Sequence, residues 1–353
     1  MHREHDGAVA IAPAPGEFAA NGLTRKDFQS DQDVRWCPGC GDYVVLAQVQ
    51  KLLPTLGISR EKFAFVSGIG CSSRFPYYLE TYGMHSIHGR APAIASGLKL
   101  SRPDLSVWVV TGDGDALAIG GNHFIHAMRR NMDLKVILLN NRIYGLTKGQ
   151  YSPTSEIGKK TKTTPLGSID RPFNPLALAL AAGATFVARS VDSDPAHLQS
   201  VLARAARHTG TAFVEVLQNC VVFNDGAHDA LSDKATRADA RLLLEHGQPL
   251  VYGNDRRRGI CLRGLTPGVV TWGEEAAAPA DLLVHDEHAD QNTLATLLAT
   301  LGADLPVALG VFRDVQAPAY HESNAQQVSE ARGKCGRGDL ARLLASGDTW
   351  VIQ

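Results

Sequence analysis

The chain has 353 residues, 44% of them hydrophobic and 20% charged, with 35 Lys+Arg against 36 Asp+Glu. That length allows one large or two ordinary domains with a substantial core. A net charge of -1 gives no electrostatic pull toward a polyanion, so neither nucleic acid nor an anionic membrane is an expected partner.

The opening MHREHDGAVAIAPAPGE mixes acidic with basic residues and has only a weak Ala/Pro stretch where a signal peptide's apolar region belongs. Residues 1–30 read as a mobile tail of a cytoplasmic protein. The longest nearly apolar run, Pro175 to Ala188, is shorter than the roughly 20 residues of a spanning helix and is interrupted by Gly183. No membrane segment is expected.

From about Val34 to Asn224 short β-branched runs alternate with helical stretches, the pattern of parallel strands joined by crossover helices. It predicts an α/β fold with a doubly wound, mostly parallel sheet. Strands are expected at Phe63–Ser67, Ser106–Thr111, Lys135–Leu139, Thr185–Ala188 and Ala212–Leu217. Helices are expected at Asp42–Leu53, Pro92–Leu100, Asn122–Arg130, Pro175–Ala182 and Ala196–His208. The stretch Gly145–Asn174 is rich in Thr, Lys, Ser and Pro with no periodic apolar face, and so reads as a long functional loop. After Leu231 the pattern weakens, leaving a basic run Arg256–Arg258 and a helix candidate Asn292–Leu301. The expected division is therefore a tail 1–30, a main domain 31–230, and a C-terminal region 231–353 that docks another subunit.

Ligand sites in such sheets lie in loops after the carboxyl ends of strands. The second strand, SVWVVTG, runs into Gly112-Asp113-Gly114-Asp115, and the third, LKVILL, ends in Asn140-Asn141. The 25 residues between Gly114 and Asn140 are one crossover helix plus one strand, which brings the two strand ends side by side. An Asp carboxylate and an Asn amide oxygen there are hard ligands of the kind Mg²⁺ prefers, with phosphate and water completing its shell. Glycines let backbone approach the phosphates, and the next helix start offers free N–H groups.

Six cysteines, at 37, 40, 71, 220, 261 and 335, are too few for a disulfide scaffold. Cys37 and Cys40 form a Cys-x-x-Cys, Cys71 directly follows the first strand, and Cys220 follows the last. The topology would carry Cys71 and Cys220 to the same sheet edge as the Gly-Asp-Gly loop. Spacing alone leaves an iron–sulfur cluster, zinc and a thiol/disulfide motif open. Cys261 and Cys335 read as ordinary cysteines.

The Gly-Asp-Gly and Asn-Asn pair resembles the diphosphate-binding domain of thiamine diphosphate enzymes. More specifically, WCPGCG, IGCSSR, HGRAPAIASGLK, GDGDALAIGGNHFIHAMRRN, NNRIYGLTKGQYSPTS, a late Cys after a strand and GVFRDV resemble β subunits of 2-oxoacid:ferredoxin oxidoreductases. The match is dense from Asp33 to His228. The resemblance implies that Asp113, Asn141 and the Ile143 carbonyl hold Mg²⁺. It implies that Ile69, Gly70, Ser72, Gly112, Gly114, Asp115, Gly145 and Leu146 line thiamine diphosphate, and that His88 contacts the thiamine. It further implies one [4Fe-4S] cluster on Cys37, Cys40, Cys71 and Cys220.

Both parts suit one chemistry. Decarboxylation of a 2-oxo acid leaves a carbanion that thiamine can hold, and a cluster beside it can withdraw two electrons singly for ferredoxin while coenzyme A accepts the acyl group. Only one Gly-Asp-Gly unit is present, so the domain that activates the aminopyrimidine is expected on a separate α subunit, in an αβ or α₂β₂ complex. Arg74 and Lys148 are the cations best placed for a distal substrate carboxylate. The form GLTKGQ resembles enzymes of 2-oxoglutarate, with pyruvate, indolepyruvate or branched 2-oxo acids as alternative substrates. A competing reading from another class is a zinc-stabilised interaction protein on a degenerate thiamine fold.

Overall fold

The computed structural model describes residues 22–348 and 350–352. The six parallel strands are β1 (Phe63–Ser67), β2 (Tyr82–His85), β3 (Ser106–Gly112), β4 (Lys135–Asn140), β5 (Phe186–Val191) and β6 (Ala212–Leu217). After them come β7 (Arg241–Leu244), β8 (Val251–Tyr252), β9 (Arg258–Arg263), β10 (Thr266–Thr271) and β11 (Val307–Asp314). One eight-stranded sheet has the order β2-β1-β3-β4-β6-β5-β11-β7, and β10-β9-β8 make a small antiparallel sheet. β11 pairs antiparallel with β5 and parallel with β7, so these last two strands run against the other six. The large sheet thus draws on both sides of residue 231.

Alternation along the strands builds the two layers. Ala64 and Val66 of β1 face a core containing Ala91 and Ala95 of α2 (Ala91–Ser101), Phe124 of α4 (Gly121–Arg129) and Leu176 of α5 (Pro175–Ala181), where α3 denotes the short Asp113–Leu117. Phe63 and Phe65 face the opposite core, with Val45 and Val49 of α1 (Asp42–Leu52) and Leu198 and Leu202 of α6 (Pro195–Arg207). A sheet buried on both faces requires apolar residues at consecutive positions, and β1, β4, β5 and β6 are buried throughout.

The strand expected at Thr185–Ala188 runs instead to Val191. Arg189 survives burial there because its Nε donates to Glu215 on β6 at 2.6 Å and its guanidinium lies over Phe312. Of the expected tail, residues 1–21 lie outside the described residues. The rest is corrected: Arg25–Phe28 is a 3₁₀ turn, and Phe28 is fully buried against Phe63, ring centroids 5.8 Å apart. Among the described residues no helix is long and apolar enough to cross a membrane.

Candidate functional site

The loops after β1, β3, β4 and β6, four neighbouring strands, meet at the carboxyl edge of the sheet. They enclose two adjoining pockets. The first is lined by residues that include Ile69, Gly70, Ser72, His88, Gly112, Asp113, Gly114, Asp115, Asn141, Ile143, Gly145 and Leu146, so every residue expected around the diphosphate, thiamine and Mg²⁺ borders one cavity. The second is lined by Cys37, Cys40, Cys71 and Cys220 together with Arg35, Arg74 and Lys148. Cys71, Asn141, Gly145 and Leu146 border both.

Asp113, at the start of α3, is buried, and its Oδ2 accepts from Ser152 (2.5 Å) and Thr154 (2.6 Å). The same Thr154 hydroxyl lies 2.8 Å from Asn140 Oδ1, so its one hydrogen is shared between the two oxygens and links the β3 and β4 ends. Burial pushes the Asp113 carboxyl upward and the two hydroxyls pull it back. Asn141 Oδ1 accepts from the Ile143 N–H at 3.2 Å, which curls the loop. A buried carboxylate, an amide oxygen and nearby hydroxyls and carbonyls are a hard donor set suited to a dication. Sequence reasoning left Ser152 and Thr154 unassigned, although the hydroxyl-rich YSPTS after Asn-Asn marks where such donors lie.

Asp115 borders the cavity but spends its carboxylate on the protein. Oδ1 accepts from the Ile69 N–H (3.0 Å), the Gly89 N–H (2.7 Å) and His88 Nδ1 (2.6 Å), while Oδ2 accepts from Thr111 (2.7 Å). It therefore shapes the Ile69 loop and fixes the His88 ring with Nε2 as its free acceptor. The glycine at 114 has a reason other than phosphate approach. An added Cβ would sit 2.1 Å from the Tyr144 ring, whose hydroxyl donates to the Gly114 carbonyl at 3.1 Å.

Among the described residues lining this cavity, two buried side-chain atoms lack a protein partner, Ser72 Oγ and one oxygen of Asp42. Unpaired buried donors and acceptors are rare in folded proteins and mark places where a ligand completes the bonding. Asp42 starts α1 directly behind the Cys-x-x-Cys turn. Burial and the neighbouring Asp192 carboxylate push it up to about 7. A Cβ at Gly41 would fall 1.9 Å from Asp192 Oδ2, so a larger residue there would displace that carboxylate.

The Cys37–Cys40 turn closes through the Cys40 N–H to Cys37 O at 3.0 Å, with Gly39 at φ +83°. A Cβ on Gly145 would lie 3.6 Å from both Cys71 and Cys220 Sγ, so those sulfurs flank the strip of loop shared by the two pockets. Burial, then Asp42 and the other cysteines, raises the Cys71 thiol to about 12, and burial also raises Cys40. Such thiols become thiolates only with strong positive charge among them. Lys148 holds φ +82° in the turn Gly145–Gly149, a conformation costing about 1–2 kcal/mol outside glycine. Cys261 is buried in β9 and Cys335 is exposed at the end of the helix Tyr320–Cys335, both remote from the four in sequence.

Residues 68–216 match the family described as thiamine pyrophosphate enzyme, C-terminal TPP binding domain. The 2-oxoglutarate oxidoreductase subunit KorB of Mycobacterium tuberculosis is 54% identical over 337 residues, 93% of this chain and 88% of that one. The 2-oxoacid:ferredoxin oxidoreductase subunit beta of Saccharolobus solfataricus is 48% identical over 192 residues, 54% of this chain and 63% of that one. A solved structure of 2-oxoglutarate:ferredoxin oxidoreductase from Magnetococcus marinus, with 2-oxoglutarate, coenzyme A and succinyl-CoA bound, aligns with a TM-score of 0.72 at 32% identity, over 93% of this chain and 97% of that one. The cavity bordered by Asp113 and Asn141 is thus that of a thiamine diphosphate-binding domain, and the chain belongs to the family of 2-oxoacid:ferredoxin oxidoreductase β subunits.

Proposed function

We propose that this chain is the β subunit of a coenzyme A-dependent 2-oxoglutarate:ferredoxin oxidoreductase, which converts 2-oxoglutarate to succinyl-CoA and passes the electrons through one [4Fe-4S] cluster to ferredoxin. The observation that carries the reading is the shared wall: Gly145 and Leu146 border the thiamine cavity on one side and the four-cysteine pocket on the other. Electrons released in the first have only a loop's thickness to cross.

Bound thiamine diphosphate supplies the electron sink for decarboxylation. Asp113, Asn141 and the Ile143 carbonyl would hold Mg²⁺ over the diphosphate, with Ser152 and Thr154 fixing the carboxylate. Ile69, Gly70, Ser72, Gly112, Gly114, Asp115, Gly145 and Leu146 would line the cofactor, and His88 would present Nε2 toward the thiamine. Arg74 and Lys148 would receive the distal carboxylate of the substrate. Cys37, Cys40, Cys71 and Cys220 would ligate the cluster.

The position beside the thiamine cavity favours the cluster over zinc, because a cluster can carry electrons away from that cavity and redox-inert zinc cannot. The α subunit would contribute the second half of the thiamine site, and residues after 231 would include its docking surface. Free cysteines of this kind suit a reducing cytoplasm.

The test is anaerobic purification of the chain with its α subunit, followed by assay of iron, acid-labile sulfide, zinc and thiamine diphosphate on one sample. Iron and sulfide at about four each per chain are expected. Zinc without sulfide would remove the electron-transfer reading.

A further inference from the structure

We propose that His246, Glu287 and His288 form a binding site for a divalent transition ion, with zinc the best-suited ion, at the amino edge of the sheet. One ligand atom from each of the three lies within 4.8 Å of the others. The edge follows from topology: β7 and β11 run against the parallel strands, so the residues after Leu244 and near Asp314 emerge opposite the thiamine and cysteine loops. This site is separate from both pockets and does not depend on the function proposed above.

The geometry is largely preset. His288 Nε2 is 3.4 Å from Glu287 Oε1, close to the ligand–ligand separation of a tetrahedral site with bonds of about 2.0–2.1 Å. The imidazole centroids of His246 and His288 are 4.7 Å apart. The backbone already joins their segments: the Gly247 N–H donates to His285 O at 2.8 Å and the His285 N–H to Gln248 O at 2.9 Å.

The outer partners are those of a ligand set. His288 Nδ1 lies 2.6 Å from the Asp314 carbonyl, so Nδ1–H donates and Nε2 keeps its lone pair outward. The buried Glu287 carboxylate is gripped by Arg204 through two bonds of 2.8 and 2.9 Å, and each oxygen retains a second lone pair. Arg204 also bonds Asp314 at 3.0 Å, and Asp286 lies 3.6 Å from His246 Nδ1. Glu287 and Asp314 thus share one guanidinium, with His208 also bonded to Asp314 and Asp286 beside His246, so a dication would meet an acidic neighbourhood. Two nitrogens and one oxygen suit zinc rather than Mg²⁺ or Ca²⁺, which prefer oxygen alone. Both histidines are exposed, which gives an ion entry and lets water complete the shell. The bound ion would clamp the turn after β7 to the segment before β11.

The test titrates Zn²⁺ alone into the chelator-washed full chain carrying its native cofactors, with His246→Ala and His288→Ala compared by calorimetry and melting, and Co²⁺ used as a spectroscopic probe. One zinc per chain is expected at micromolar affinity, weakened at least about 10-fold in each variant. The wild type should melt a few degrees higher with zinc than without it, and the melting of each variant should not respond to zinc. Co²⁺ should show d–d absorption and no thiolate charge-transfer band. Equal zinc affinity in wild type and both variants, a thiolate band, or no binding at millimolar zinc would overturn the proposal.

Discussion

Asp115 Oδ1 and His88 Nδ1 stand 2.6 Å apart, and the same oxygen accepts two backbone N–H groups. One carboxylate therefore sets both the Ile69 loop and the ring facing the thiamine cavity. Asp115→Asn keeps the shape and removes the charge. It should weaken thiamine diphosphate binding by about 1.5–3 kcal/mol, the range for hydrogen bonds to a charged group. Cofactor titration of the purified complex measures it, and unchanged affinity would show that the network is not needed.

Ser152 and Thr154 bear on Asp113 in the same way. Their double replacement, Ser152→Ala with Thr154→Val, should raise the Mg²⁺ concentration needed for half-maximal cofactor binding by about 10- to 100-fold.

The 2.1 Å clash at Gly114 is specific to one neighbour, so it can be relieved. Gly114→Ala should destabilise the chain by about 1–3 kcal/mol as Tyr144 is displaced. Adding Tyr144→Ala should recover part of that loss in urea unfolding. No recovery would mean that the strain lies in the backbone.

Lys148 and Arg74 share the cysteine-lined pocket. Lys148→Ala should raise KM for 2-oxoglutarate at least about 10-fold more than for pyruvate, because only the former has a distal carboxylate. Equal effects on both would separate Lys148 from substrate choice.

His228 lies buried against the Asn140 carbonyl at 3.1 Å, and burial lowers it to about 4. Between pH 6.5 and 4 the unfolded chain binds the proton that the folded chain refuses, so this stabilisation is complete above pH 6.5 and lost as pH falls toward 4. The loss is about 3 kcal/mol at most. His228→Gln should flatten the stability profile over that window relative to wild type, measured by denaturant unfolding at pH 7 and pH 5.

The strands Phe63–Ser67 and Ala212–Leu217 were legible in the sequence to the residue, because strands buried on both faces have to be runs of apolar side chains. β2 was not, since Tyr82–His85 is an exposed edge with no buried face to leave a pattern. Nor were β9 and β10, where Arg, Pro and Gly interrupt half-exposed strands of a small antiparallel sheet. β11 carries its apolar run openly in VALGVF, but its antiparallel place beside β5 is set by contacts over more than a hundred residues of chain, which no local pattern encodes.

At the site, residue types gave the donors and topology gave their meeting place. What stayed hidden were bonds between side chains distant in sequence: Thr154 bridging Asp113 and Asn140, or Asp115 spending its charge on residues 69, 88 and 89. A hydroxyl in a polar loop carries no mark of the carboxylate it will meet.

The late arrival of β11 has a consequence for synthesis. Until residue 307 and beyond leave the ribosome, Phe186–Val191 is a bare strand edge on an otherwise finished cofactor half. An unpaired, apolar edge of this kind recruits other chains. Chains cut short before Val307 should therefore aggregate through that edge rather than persist as a smaller soluble domain, and newly made protein depends on a prompt finish to translation.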